Sequence, residues 1–295
     1  MKFAVLSDLH AQYENPVARL DDYFDTLIRK LRWVRETVGR DTPLIIAGDI
    51  WDVGKPRNFL KMHGPMCDAL KNCRTIYGNH DASFHSAQYL PETAYASIDR
   101  VLGCHLGKVR PMGDFELHPF NFGTEIQHED AVYDLPMIAV SHQFVYQKKL
   151  PFDKGVSALY LLTEFPEYAI IITGDNHQHF IEEYDGRFLI NNGSLMRMTS
   201  AQIDYQPVVT VWEDGVITTI PIPVNKDAVT DKHITFANDR GSAHDAMLAY
   251  IELVKNVDNE VYDFTSNLYS RIEQLEDTLT KRVLTEVYHE LKEGV

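Results

Sequence analysis

Five short stretches of this chain cluster carboxylate, imidazole and amide side chains. They are Asp8 and His10 in DLH, Asp49 and Asp52 in GDIWD, Asn79, His80 and Asp81 in GNHD, His142 in SH, and Asp175, His177 and His179 in TGDNHQH. Such oxygens and ring nitrogens suit divalent ions of borderline hardness, such as manganese, iron or zinc. The set is too large for one ion. Two ions about 3.5–4 Å apart would use roughly seven or eight ligands, some shared, and could activate water and neutralise a phosphoryl group.

Each stretch alone has a plainer reading. Asp8-x-His10 occurs by chance in loops. Asp49 and Asp52 could belong to a turn, where Asp and Gly are common. A lone His142 could be a satisfied core or surface histidine. Gly78–Asp81 is stronger, because a plain turn leaves His80 unexplained. The weight lies in the recurrence.

Each stretch closely follows a short apolar run. KFAVL (2–6), LIIA (44–47), RTIY (74–77), MIAV (137–140) and AIIIT (169–173) precede them in turn. Runs of this length read as buried strands. In open α/β sheets ligands sit beyond the carboxyl ends of the strands, so five strand ends can converge on one site. Leu20, Phe24, Leu27, Leu31 and Val34 recur at helical spacing, which predicts a helix over 20–38 stopped by Gly39. A second helix is expected around 58–72. After residue 180 the texture changes. Asp185-Gly186 and Asp214-Gly215 each separate two β-rich runs, a hairpin signal because both turn positions favour positive φ. The early part therefore alternates β and α, and the later part reads as antiparallel β. A boundary is expected near Pro221 and Pro223, followed by helices over 243–292.

Composition sets outer limits. The chain has 295 residues, 44% hydrophobic and 24% charged, enough for one large sandwich with an appendage. No apolar run approaches the roughly 18 residues of a membrane span. The first apolar run is too short for a signal-peptide core. The cysteines, Cys67, Cys73 and Cys104, fit no zinc spacing and read as reduced thiols, so a cytoplasmic setting is expected. A net charge of −15 opposes a broad basic face for nucleic acid, but not a metal-dependent enzyme acting on phosphates.

Taken in order, the five motifs resemble those of the calcineurin-like metallophosphoesterases: D-x-H, G-D-x-x-D, G-N-H-[DE], H and G-H-x-H. The resemblance covers about residues 1–220. It implies an α/β fold, a four-layer α/β/β/α sandwich, with a catalytic domain over 1–224. A small capping and helical appendage would cover 225–295. Within the family, GDIWDVGKP and NNGSLMRMT look most like the nuclease subunit of the SbcC–SbcD DNA repair complex. That implies a two-metal phosphodiesterase, a DNA exonuclease and endonuclease working with an SbcC-like ATPase subunit in recombination or repair. It also implies a homodimer. The alternative is a phosphatase or phosphodiesterase on a small nucleotide or phosphoprotein.

The resemblance carries roles onto matching positions. Asp8, His10 and His177 would bind the first ion and Asp49 would bridge. Asn79, His142 and Asp175 would bind the second. His80 would stabilise the phosphorane or protonate the leaving oxygen, and Asp81 would orient it. Asp52 would support its loop. The family has histidine where this chain has Asp175. Either Asp175 and His177 form the last pair, or His177 and His179 do with Asn176 in place of the glycine. The first register keeps a glycine directly after the strand, and His179 then becomes a substrate-side or surface residue. An added carboxylate favours a harder ion, so manganese is the expected metal, with magnesium, iron and zinc as alternatives. Lys55, Arg57, Lys148, Lys149 and Arg197 lie near the motif loops and could contact phosphate. A stripe over 260–292 could pack on the chain's own sandwich or dock a partner.

Overall fold

Strand residues alternate between two apolar environments. In Lys2–Leu6, Phe3 and Val5 face one cluster, while Ala4 and Leu6 face another. The same split divides Ile170 and Ile172 from Ile171 in Tyr168–Gly174. Strands buried on both faces must be apolar throughout, which explains the uninterrupted runs. The computed structural model describes residues 1–148, 155–225 and 228–231. The predicted helices over 243–292 and Lys149 lie outside them.

Two sheets result. The first has five strands in the order Val216–Pro221, Val208–Glu213, Lys2–Leu6, Leu44–Ile46, Cys73–Thr75. The second has six, in the order Phe180–Tyr184, Arg187–Asn191, Tyr168–Gly174, Met137–His142, Phe115–Phe120, Arg110–Met112. Their facing sides share a core that includes Phe3, Val5 and Ile45 from the first and Ile138, Val140 and Ile172 from the second. The helices Tyr23–Val38, Phe59–Ala69 and Ala94–Leu102 cover the outer face of the first sheet. The helix Ala158–Glu164 covers the outer face of the second. The architecture is the four-layer α/β/β/α sandwich. Met1–Val229 forms one compact unit.

The helix expected from Leu20 starts instead at Tyr23. Asp22 caps it, its side chain accepting from the Asp25 amide, and Leu20 stays outside and exposed. Both Asp-Gly pairs turn hairpins, with φ of 52° and 72° at Asp185-Gly186 and 48° and 90° at Asp214-Gly215. The later part is not an antiparallel sheet of its own. Arg187–Asn191 runs parallel to Tyr168–Gly174, while Val208–Glu213 runs antiparallel to Lys2–Leu6. The two hairpins thus complete two different sheets.

Candidate metal centre

Lys2–Leu6, Leu44–Ile46 and Cys73–Thr75 run parallel in one sheet, as do Met137–His142 and Tyr168–Gly174 in the other. Their carboxyl ends bring the five motifs together. Asp8, His10, Asp49 and Asp175 all have positive φ, between 47° and 79°. Such a backbone is uncommon outside glycine and clusters at functional sites, where the surrounding structure holds it.

Three overlapping groups could each hold an ion: Asp8, His10 and His177; Asp8, Asp49 and His142; and His10, Asp49 and His80. The Nε2 atoms of His10 and His177 are 3.1 Å apart. His142 Nε2 lies 2.9 Å from Asn79 Oδ1, 3.4 Å from Asp49 Oδ2 and 3.9 Å from Asp175 Oδ1. Asp49 stands between the two sets, with Oδ2 also 3.8 Å from His10 Nε2. Asp49 Oδ2 and His80 Nε2 are buried without a hydrogen-bond partner, a costly state that a cation or substrate would relieve. The residues fit a pair of divalent ions.

Neighbouring groups fix these ligands. His142 Nδ1 donates to the Ala47 carbonyl at 2.7 Å, leaving Nε2 to face the site. Asp8 accepts from the Ser7 hydroxyl at 2.5 Å and from the Asp175 amide at 3.1 Å. Asp49 Oδ1 accepts from the His80 amide at 2.9 Å. A Cβ on Gly78 would sit 2.1 Å from that same oxygen, so the backbone must come this close without a side chain. A Cβ on Gly174 would meet the Ala47 carbonyl at 2.1 Å and His142 Nδ1 at 2.9 Å. Gly174 thus needs to be glycine, as the Asp175–His177 register assumes.

The buried carboxylates govern the imidazoles of the metal-free site. Burial would lower His10, but Asp52, Asp49 and Asp8 outweigh it and raise the ring to about 9. His142 is likewise raised against burial, chiefly by Asp49. Burial holds His177 down at about 4, with the charges on His10 and His80 opposing Asp8 and Asp49. Burial and Asp49 push Asp81 up to about 7.

Two assignments need correction, those of Asp81 and Arg197. Asp81 does not orient His80. Its carboxylate accepts from the backbone amides of Trp51 and Gly78, both at 2.9 Å, and of Ile50 at 3.3 Å, which ties two motif loops together. His80 Nδ1 is held by the Asp52 carbonyl at 2.7 Å. The Asp52 carboxylate lies 3.3 Å from His10 Nδ1, so Asp52 serves two histidines. Arg197 is no phosphate contact: it is 2% exposed and donates to the carbonyls of Ile203 and Asn225. Both terminal guanidinium nitrogens bond to backbone, and Nε is buried without a partner. His179 is half-buried, with Nδ1 unpartnered, and joins none of the three ligand groups. Arg57 and Lys148 are exposed, and Lys55 is paired with Glu92 at 2.9 Å. The sequence reading missed His85, whose Nδ1 reaches the Asn79 carbonyl at 2.9 Å. No motif position marks it. Cys67, Cys73 and Cys104 are free and buried. No helix among the described residues is long and apolar enough to cross a membrane.

The family model for calcineurin-like phosphoesterases matches residues 1–179. The chain belongs to this family of metal-dependent hydrolases, whose members typically bind two divalent ions. One solved structure has a TM-score of 0.51 at 11% identity, covering 75% of this chain and 99% of the other. An archaeal phosphodiesterase gives 0.43 at 15% identity, covering 75% and 100%. A putative 5'-nucleotidase from Staphylococcus aureus gives 0.47 at 17% identity, covering 78% and 56%. No curated protein matches the sequence.

Proposed function

We propose that the chain cleaves phosphodiester bonds in DNA, in the manner of an SbcD-type nuclease. The observation that carries the hydrolytic part is the convergence of seven ligand side chains from two sheets beside a buried, unpartnered His80 Nε2. GDIWDVGKP and NNGSLMRMT support the nuclease part. Asp8, His10, His177, Asp49, Asn79, His142 and Asp175 would hold two ions, with manganese the first candidate. Bound there, they would activate water and neutralise charge on the phosphoryl oxygens. His80 donates Nδ1–H to Asp52 whatever its charge. When protonated, it also presents Nε2–H to the departing oxygen. An SbcC-like ATPase subunit, a second copy of this chain and a cytoplasmic setting complete the proposal.

A second reading, a phosphatase or phosphodiesterase on a small nucleotide or phosphoprotein, draws on charge. The net charge is −15, and Arg197 is withdrawn into the protein. The deciding assay gives the full chain manganese and either linear DNA or a chromogenic phosphomonoester. We expect DNA degradation that His80→Gln or Asp49→Ala abolishes. Rapid cleavage of the monoester with DNA left intact, with and without a coexpressed ATPase, overturns the nuclease reading.

A further inference from the structure

The segment after Asp81 exposes what a folded chain usually hides. Phe84 is 87% exposed. Tyr89 stands edge-on to it, ring centroids 5.5 Å apart at 68°. Phe84 and His85 are successive residues with φ of 56° and 51°. Side chains rarely adopt that region, and two in a row need something to hold them. The hold is at His85. Its Nδ1 reaches the Asn79 carbonyl, and its ring lies edge-on to His80 at 5.9 Å. This anchor fixes Phe84, one residue away, beside the metal centre and in solvent.

The segment's chemistry selects an occupant. Across residues 82–93 the one formally charged side chain is Glu92, and Lys55 pairs with it. The segment offers a flat aromatic face and no spare cation for phosphate. A nucleobase suits such a face, since every base has a π surface and stacks without a sequence requirement. We infer that Phe84, braced by Tyr89, is a stacking platform for the nucleobase next to the scissile phosphate. The inference rests on the phosphodiesterase reading and adds a base-recognising element to it.

Two measurements test it on the full chain. Phe84→Ala should raise KM about 5- to 150-fold on a thymidine oligonucleotide. It should leave KM unmoved on an oligonucleotide whose bases have been removed, and Phe84→Trp should restore the discrimination. Separately, the thymidine strand should quench the extra emission of Phe84→Trp, and the abasic strand should not. Equal quenching by both strands, or equal KM changes on both, overturns the platform. Quenching requires no turnover. Cleavage of neither strand overturns the phosphodiesterase reading, while the emission result still decides the platform.

Discussion

The main-chain oxygen of Asp52 stands 2.7 Å from Nδ1 of His80, so a backbone group orients the ring. A carbonyl can only accept, so Nδ1 carries the hydrogen, which leaves Nε2 as the atom that can gain or lose a proton toward the substrate. His80→Gln should therefore lower kcat by about 10²–10⁴-fold, the usual contribution of a positioned acid. Metal content measured by plasma mass spectrometry should not change. Loss of one ion would instead make His80 a ligand, as its proximity to His10 and Asp49 allows.

Asp175 occupies the place where the family motif has histidine, and its Oδ1 lies 3.9 Å from His142 Nε2. Asp175→Ala should leave about one ion per chain where the parent holds two. Asp175→His should recover the second, because imidazole also binds these ions. Two ions retained by the alanine variant would move the ligand role elsewhere, with His179 the first residue to test.

Gly78 leaves no room for a side chain. A Cβ there would lie 2.1 Å from Asp49 Oδ1 and 2.6 Å from the Asp49 amide nitrogen. Asp49 is fully buried and cannot swing away freely. Gly78→Ala should cost about 1–3 kcal/mol in denaturant unfolding, as overpacking does. It should also weaken metal retention on dialysis. A variant with parental stability and metal content would show that the loop yields easily.

Lys30 offers a test by pH away from the metal ligands. It is buried on the helix Tyr23–Val38 and donates to the Leu195 carbonyl at 2.9 Å. Burial, with Arg19 and Arg197 adding repulsion, lowers it from 10.5 to about 7. Between those values the unfolded chain binds a proton that the folded chain does not. Stability from this group therefore rises with pH across that window, with a slope approaching about 1.36 kcal/mol per pH unit. Relative to Lys30→Met, the parent should gain unfolding free energy from pH 7 upward. Parallel pH curves for the two proteins would contradict the shift.

Much of the metal centre was legible because parallel strands buried on both faces must be apolar to their ends. The first polar residue after such a run therefore marks a site. Asp8, Asp49, Asn79, His142 and Asp175 were visible for that reason. The strand Phe115–Phe120 was not. Its Glu116 and His118 are buried and bonded to each other at 2.8 Å, which disguises it as polar chain. Arg197 misled for the opposite reason. Sequence nearness to a motif says nothing about which carbonyls a guanidinium will find in the folded chain. The resemblance gives Asp81 the task of orienting His80, yet its carboxylate turns toward the Trp51 and Gly78 amides. Side-chain direction at a tight loop depends on the second loop it meets.

The seven ligand candidates come from both sheets, and this orders events during synthesis. Asp8, His10, Asp49 and Asn79 leave the ribosome with the first sheet's parallel strands. His142, Asp175 and His177 follow only with the second. The strand Val208–Glu213, which pairs beside Lys2–Leu6, comes later still. Until Tyr168–Gly174 and the loop after it have been made, a nascent chain thus carries at most five of the seven ligand candidates, and neither ion site has its full set of side chains.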